Sequence, residues 1–159
     1  MTLKRFSLED CLREGLLRRV PPSPQGAEGS IRAARRWLEE AERGLRAGAN
    51  SSSVLASYLS MFHSARAILY IDGYREKSHY CVARHLDRHV AAGRLEERWV
   101  DLLDHYREQR HESQYRFNFV VTETDAEASL AASEQFVDRM VALKKTIERT
   151  ARTDCTQPN

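Results

Sequence analysis

The segment from 50 to 73 constrains this chain most, because its apolar residues leave no side of a helix free for water. Indexed as a helix, one face carries Val54, Leu55, Tyr58, Phe62, Ala65 and Leu69. The remaining faces carry Leu59, Ile68 and Ile71 among small serines and alanines. A helix that is apolar almost all round is typical of the centre of a bundle, and Gly73 stands where such a helix ends. The segment therefore predicts an all-α protein with this helix at its core.

Five further helices are predicted around it, in a chain of 159 residues with only four Pro and seven Gly. Ser7 with Asp10 predicts a capping box for a short helix from 8 to about 19, and Thr124 with Glu127 predicts another for the last helix. Helical patterns also cover 27–47, 78–92 and 94–117. No segment is long enough for a convincing strand. We expect a single domain over 1–151 and a frayed tail over 152–159.

Net charge and cysteine content exclude several classes of protein. The formal net charge of +2 is too small to indicate nucleic-acid binding by itself. Cys11, Cys81 and Cys155 are odd in number and widely spaced, so they predict neither a disulfide framework nor a zinc site. The N-terminus lacks a signal-like apolar run, and Ser, His and Arg interrupt the most apolar stretch. We expect a soluble, cytoplasmic protein without membrane contact.

One arginine interrupts an otherwise apolar helical face. In the helix predicted over 94–117, the following residues fall within about a third of the circumference: Leu95, Trp99, Leu102, Leu103, Tyr106, Ser113 and Phe117. Arg110 lies near the middle of this face. A guanidinium there requires a carboxylate, a phosphate or water. The alternatives are an Arg that reaches the edge of the face or pairs with a Glu, and an Arg with a functional role.

Two more groups of polar residues are candidates for a binding site. His63, Arg66 and Tyr70 form a line on the central helix at spacings i, i+3 and i+7. The segment that follows is the most positive part of the chain, with these residues: Arg75, Lys77, His79, Arg84, His85, Arg88 and His89. Such a patch is able to receive phosphate. The alternatives are a satisfied core His and a surface Arg pair in the first group, and a solvated face in the second.

Metal binding and covalent catalysis are weakly signalled. Glu76 with His79, and Glu108 with His111, spell the Glu-x-x-His pair of di-iron bundles. Glu76 lies in a predicted turn, and the second pair lies off the apolar face of its helix, so neither is favoured. The same holds for the two His one turn apart in the fourth helix. Glycine-flanked nucleophiles and Gly-rich phosphate loops are absent from the sequence. We expect no metal and no cofactor.

The order of three motifs resembles the HEPN domain (higher eukaryotes and prokaryotes nucleotide-binding), in particular its small stand-alone prokaryotic members. The motifs are SYLSMFHSARAILYIDGY at 57–74, His79, and RHESQY at 110–115. The resemblance covers about 50–117. It implies an all-α, up-and-down four-helix bundle with an additional short N-terminal helix, usually dimeric. It also implies RNA or nucleotide binding, and in many members metal-independent ribonuclease activity as a toxin paired with a nucleotidyltransferase antitoxin.

Carried over residue by residue, the resemblance assigns Arg110 to the motif arginine and His111 to the polar residue after it. The motif histidine falls at Tyr115, Arg116 or Phe117, none of which is His. Residues five apart on a helix point about 140° away from each other. Arg110 and Tyr115 therefore share a site only if the helix bends or a second chain completes it. Weak or absent catalysis is expected.

Three hypotheses follow from these residues. The leading one is a homodimer, formed through the helices over 53–72 and 94–117, that binds RNA or nucleotide; its candidate catalytic residues are Arg110, His111 and Tyr115. Further binding residues are expected to be His63, Arg66, Arg75, Lys77, His79, Arg107 and Gln114. The first alternative is a ribonuclease toxin in which Arg110 stabilises the phosphorane and His111 acts as the base. The second is a non-catalytic dimeric adaptor with Arg110 in an interface salt bridge.

Overall fold

The computed structural model describes residues 6–156 and shows an all-α protein, which confirms the predicted fold class. This part of the chain has six helices: α1 Leu8–Arg13, α2 Pro24–Arg46, α3 Asn50–Asp72, α4 His79–Ala91, α5 Glu97–Tyr115 and α6 Glu123–Cys155. Two short strands, β1 Leu17–Arg19 and β2 Tyr74–Glu76, form an antiparallel ribbon.

The helix α3 is the centre of the bundle, as its sequence predicts. α2 and α6 pack along it, and α4 and α5 cover another side. The close approach of α2 depends on small residues, since a Cβ added to Gly44 would lie 3.2 Å from the backbone nitrogen of Ser53. Buried Ser60 and Ser64 each donate to the carbonyl oxygen three residues earlier, so their hydroxyls are satisfied inside the core.

The length and hydropathy of α3 are also sufficient to cross a membrane. In the bundle, however, 67% of its most apolar 18-residue window is buried against other helices. This is the pattern of a core helix, which passes the same test of length and hydropathy.

The N-terminal helix is shorter than predicted, and the ribbon follows it. α1 ends at Arg13 rather than near 19, and Gly15 then adopts a φ of +68°. The prediction that no strand occurs is wrong, because residues 17–19 pair with 74–76. Each strand has only three residues, too few for an alternating pattern to be visible in the sequence.

Gly73 ends α3 with a φ of +79°, and a Cβ there would lie 2.7 Å from the carbonyl oxygen of Val20.

α5 ends earlier than predicted, and α6 begins earlier than predicted. α5 ends at Tyr115, and Phe117, which the pattern places on the apolar face, is exposed. α6 opens with a capping box formed by Thr122 and Asp125, not by the pair two residues later. Both pairs have capping-box spacing, and the one nearer the end of α5 is used. α6 continues past 151 with residues 149–156 exposed, and the division into domain and tail stays a prediction.

Arg84 lies between α4 and α5 rather than on a solvated basic face. Its side chain is 1% exposed, with Nη2 2.5 Å from Asp104 of α5 and Nε 3.0 Å from Asp87. The guanidinium carbon also lies 4.7 Å from the centre of the Tyr80 ring. A buried arginine needs such partners, because an unpaired charge in the core is strongly destabilising. The positive run of the sequence is thus divided between surface and interior.

Cys11 and Cys81 form a disulfide, which corrects the expectation drawn from the cysteine count. Their Cα atoms are 5.9 Å apart and both residues are buried, whereas Cys155 is free and exposed. The pair was not visible in the sequence because 70 positions separate the two cysteines. Disulfides are typical of oxidising compartments. The cytoplasmic location stays a prediction.

We expect replacement of both Cys11 and Cys81 by Ala to lower the free energy of unfolding by about 2–5 kcal/mol, because the unfolded chain is no longer closed into a long loop. Urea unfolding followed by circular dichroism measures the loss. Cys155→Ser is the control and should leave the unfolding midpoint unchanged. Equal stability of the double variant and the untreated wild type would contradict a stabilising disulfide.

Candidate functional site

A histidine at the start of α4 stands against two aromatic rings of α3. The ring of His79 stacks on Phe62 at a centroid distance of 4.0 Å and an interplanar angle of 18°. Its Nδ1 lies 2.9 Å from the hydroxyl of Tyr58. Tyr58 and Phe62 are one turn apart on α3, so they present adjacent rings. We call these three residues, together with Arg110 of α5, the His79 site.

Arg110 reaches this site from the middle of the α5 face that was expected to be apolar. Its Nη1 lies 3.5 Å from Nδ1 of His79, and its guanidinium carbon lies 5.4 Å from the centre of the Tyr58 ring. Within residues 6–156, no carboxylate oxygen lies within 4.0 Å of this guanidinium. Its Nε is buried without a hydrogen-bond partner. Arg110 is therefore a cation that lies over an aromatic ring and whose Nε–H group is available to donate a further hydrogen bond.

Both titratable partners of Arg110 are held in their neutral forms. Partial burial, and next the charge of Arg110, lowers the pKa of His79 to about 4. Burial raises the pKa of Tyr58 to about 12, although Arg110 opposes this shift. Arginine only donates hydrogen bonds, so Nδ1 of His79 accepts, Tyr58 donates to the same nitrogen, and the imidazole proton lies on Nε2. The His79 site thus carries positive charge that no anion of the described part of the chain compensates.

Three of the predicted binding residues border the site. Arg66 lies 2.8 Å from Glu76, and Arg107 lies 3.6 Å from Asp104, so each already has an acidic neighbour. The positive charges of Arg66 and Arg107 still act on the site, since they help to lower the pKa of His79. Burial, followed by the charge of Arg66, lowers the pKa of His63 as well. The structure therefore gathers five predicted residues, two of them neutral histidines and three of them arginines.

The other predicted residues lie outside this group. All five of them are exposed: Arg75, Lys77, His111, Gln114 and Tyr115. The rings of His111 and Tyr115 contact each other at a centroid distance of 4.7 Å. No contact among residues 6–156 joins either ring to Arg110. A shared role for His111, Tyr115 and Arg110 stays a prediction, and it requires a second chain.

Sequence reasoning missed Tyr58 and Phe62 as site residues and assigned both to the core. They are indeed buried, at 1% and 6% exposure. Because α3 is apolar on nearly every side, periodicity does not distinguish a ring inside the core from a ring that forms the wall of a site. The signal was the run Tyr-x-x-x-Phe-His at 58–63, which places two rings one turn apart beside a histidine.

Asp72, His85 and His89 are the described residues best placed to hold a metal ion. The Nε2 atoms of His85 and His89 approach one oxygen of Asp72 at 2.8 and 2.5 Å, and the three ligand atoms lie within 4.8 Å of one another. However, Nε of Arg94 donates to Nδ1 of His89 at 3.2 Å. That nitrogen then carries no proton, whereas a metal-bound His donates from its second nitrogen. The trio fits a hydrogen-bonded link between α3 and α4 better than a metal site.

Comparison with protein families agrees with the motifs. The family model described as HEPN domain matches residues 27–145, which is most of the chain and includes all four residues of the His79 site. A comparison with curated proteins finds no match.

We expect the imidazole of His79 to be neutral at pH 6 and to titrate near pH 4, as its pKa of about 4 requires. Arg110→Gln should raise this pKa, because it removes the strongest nearby positive charge. NMR of the ring nitrogens over a pH series measures both values. Arg116→Gln, at the exposed end of the same helix, is the control and should leave the pKa unchanged. A midpoint near the ordinary value of about 6.5 in the wild type would contradict a neutral site.

The lowered pKa of His79 also makes stability depend on pH. In the unfolded chain His79 takes up a proton near pH 6.5, but in the folded chain only near pH 4, so the unfolded state binds more protons between these values. The free energy of unfolding should therefore fall as the pH drops from about 6.5 to about 4. His79→Gln should flatten this slope in part, leaving the contributions of His63 and His85, whose pKa values are also lowered. Urea unfolding at several pH values tests this, and an unchanged slope would count against it.

Proposed function

The chain belongs to the HEPN family, and from this premise we propose that its His79 site binds the phosphate groups of RNA or of a nucleotide, with weak or absent catalysis. The family is associated with RNA binding and ribonuclease activity. The match covers the elements that form the site, from α2 into α6. The chemistry of the site then decides which of these activities this chain supports best.

The observation that carries the proposal is the unpaired guanidinium of Arg110. Its buried Nε has no hydrogen-bond partner among the described residues, and its Nη1 lies 3.5 Å from a neutral imidazole nitrogen. A partly buried cation of this kind is stabilised most by an anion that accepts several hydrogen bonds at once, as a phosphate does. Arg66 and Arg107 add positive charge at the border of the site. A phosphate bound here would complete the pairing that the chain leaves open.

The same geometry argues against efficient cleavage of RNA within one chain. Cleavage requires a general base and a general acid whose pKa values lie near the working pH. His79, with a pKa of about 4, is a weak base whose Nδ1 is already occupied by Tyr58. Tyr58, with a pKa of about 12, does not give up its proton at neutral pH. These two residues are therefore suited to orienting a ligand rather than to transferring protons.

A metal-independent ribonuclease toxin is the alternative, and one observation favours it. The end of α5 and the loop after it expose three large apolar side chains, Tyr115, Phe117 and Val120, at 72%, 103% and 80%. Exposed apolar groups of this size are typical of a protein interface. A homodimer formed there would bring His111 of one chain toward Arg110 of the other. The nucleotidyltransferase antitoxin belongs to this alternative as its partner.

We expect Arg110→Gln to weaken the binding of labelled single-stranded RNA by about tenfold or more, because hydrogen bonds to a charged group contribute about 1.5–3 kcal/mol. Fluorescence anisotropy measures the dissociation constants. The slope of log affinity against log salt should also decrease by about 0.7 for each phosphate that the variant no longer neutralises. Arg116→Gln is the matched control and should change affinity less than about twofold. Equal affinity of Arg110→Gln and the wild type would overturn the proposal.

RNA cleavage in the presence of a metal chelator separates the alternatives. The binding proposal expects intact RNA, whereas the ribonuclease alternative expects cleavage that both Arg110→Ala and His111→Ala abolish. Sedimentation of the same variants tests the adaptor hypothesis. In that hypothesis Arg110→Ala unfolds the protein or dissociates the dimer, and RNA does not bind to the wild type.

A further inference from the structure

A groove on α2, the helix that packs most extensively on α3, has no part in the function proposed above. It has a volume of about 460 Å³ and is lined by Arg36, Trp37 and Glu40. Glu40 lies 2.5 Å from Arg43, so its charge is balanced by a neighbour on the same helix. The groove therefore offers an aromatic ring and an arginine, Arg36, that has no ion pair within residues 6–156, a combination suited to a nucleobase and its phosphate.

The helix pairing places this groove at the level of the middle of α3. α2 runs antiparallel to α3, with Gly44 against Ser53 and Gly26 against Tyr70. Arg36, midway along α2, is therefore opposite the middle of α3. The charge of Arg36 reaches His63, where it contributes to lowering the pKa of that histidine. His63 in turn contacts the edge of Phe62, a residue of the His79 site, at a centroid distance of 5.4 Å.

Trp37 is held firmly enough to serve as a stacking surface. Its ring packs on a small cluster of Ala41, Ala56 and Leu130, and part of it stays exposed to the groove. A tryptophan fixed on one face and open on the other binds a flat ring with little loss of conformational freedom. Trp99 is buried at 7% exposure and is not available for such a contact.

We infer that the His79 site and the groove of Arg36 and Trp37 together bind one single-stranded RNA segment of several nucleotides. Arg110 takes a phosphate at one end, Arg36 takes a phosphate further along, and Trp37 stacks on a base. The inference rests on the proposed function and extends it from a phosphate to a chain. Neighbouring helix axes are about 8–10 Å apart, so the path from α5 across α3 to α2 is on the order of 20 Å. A mononucleotide is too short to contact both ends.

The test compares uridine monophosphate with an eight-nucleotide RNA on three variants of the full chain. Arg36→Gln should weaken binding of the octamer by about tenfold and reduce its salt slope by about 0.7, while leaving mononucleotide binding unchanged. Arg35→Gln is the matched control, because Arg35 is also exposed on α2 but lines a cleft toward α6. Arg110→Gln should weaken both ligands.

Tryptophan fluorescence gives a second and independent measurement. The octamer should quench the emission of Trp37, and Trp37→Leu should both remove this signal and weaken octamer binding by about fivefold or more, as expected for loss of a base stack. An octamer with abasic positions should bind Trp37→Leu and the wild type equally. Arg36→Gln should still weaken binding of the fully abasic octamer, because its phosphates remain. A loss of affinity in Trp37→Leu that persists with the fully abasic octamer would overturn the stacking of a base on Trp37.

Different results would overturn the RNA path and the proposed function. If Arg36→Gln equals Arg35→Gln, or the saturating octamer leaves the emission of Trp37 unchanged, the RNA path is wrong, and the proposed function still stands if Arg110→Gln weakens binding. If Arg110→Gln also binds both ligands as well as the wild type does, the proposed function fails too.

Discussion

The burial of α3 on nearly every side is the constraint on which the rest of the structure depends. Each other helix buries its own apolar face by packing against α3 or against a neighbour that does. Hydroxyls inside this core are tolerated because serines donate to carbonyls of their own helix. Larger polar groups occur where the covering helices leave a gap. The His79 site lies at such a gap, between the start of α4 and the C-terminal half of α5.

The electrostatics of the His79 site depend on one feature: within residues 6–156, no carboxylate lies beside Arg110. Arg84 and Arg110 both project inward from their helices, but within residues 6–156 only Arg84 of the two is neutralised by carboxylates. Arg110 is stabilised by the face of Tyr58 and by the imidazole of His79, both neutral. Keeping these partners uncharged lets the guanidinium retain its affinity for an anion. A carboxylate in either position would satisfy Arg110 and remove the reason for it to bind a ligand.

The sequence predicted what depends on long regular patterns and missed what depends on contacts between distant segments. α3 and its end at Gly73 follow from periodicity and one turn residue. Arg110 was found because it breaks a face. The ribbon was missed because its strands have three residues each, and the disulfide because its cysteines are 70 positions apart. Tyr58 was assigned to the core because only the docking of His79 onto α3 shows what its hydroxyl binds.

The buried charge of Arg84 has a consequence for the uniqueness of the helix pairing. Apolar faces alone allow α4 and α5 to slip past each other by a turn, because one leucine or valine packs nearly as well as the next. A slip of about 5.4 Å would carry Asp104 away from Arg84 and leave this buried guanidinium with only Asp87 and the ring of Tyr80, both on its own helix. The same slip would withdraw Arg110, which lies six positions after Asp104 on α5, from the ring of Tyr58. One ion pair thus selects a single register for the helices, and that register places Arg110 at His79.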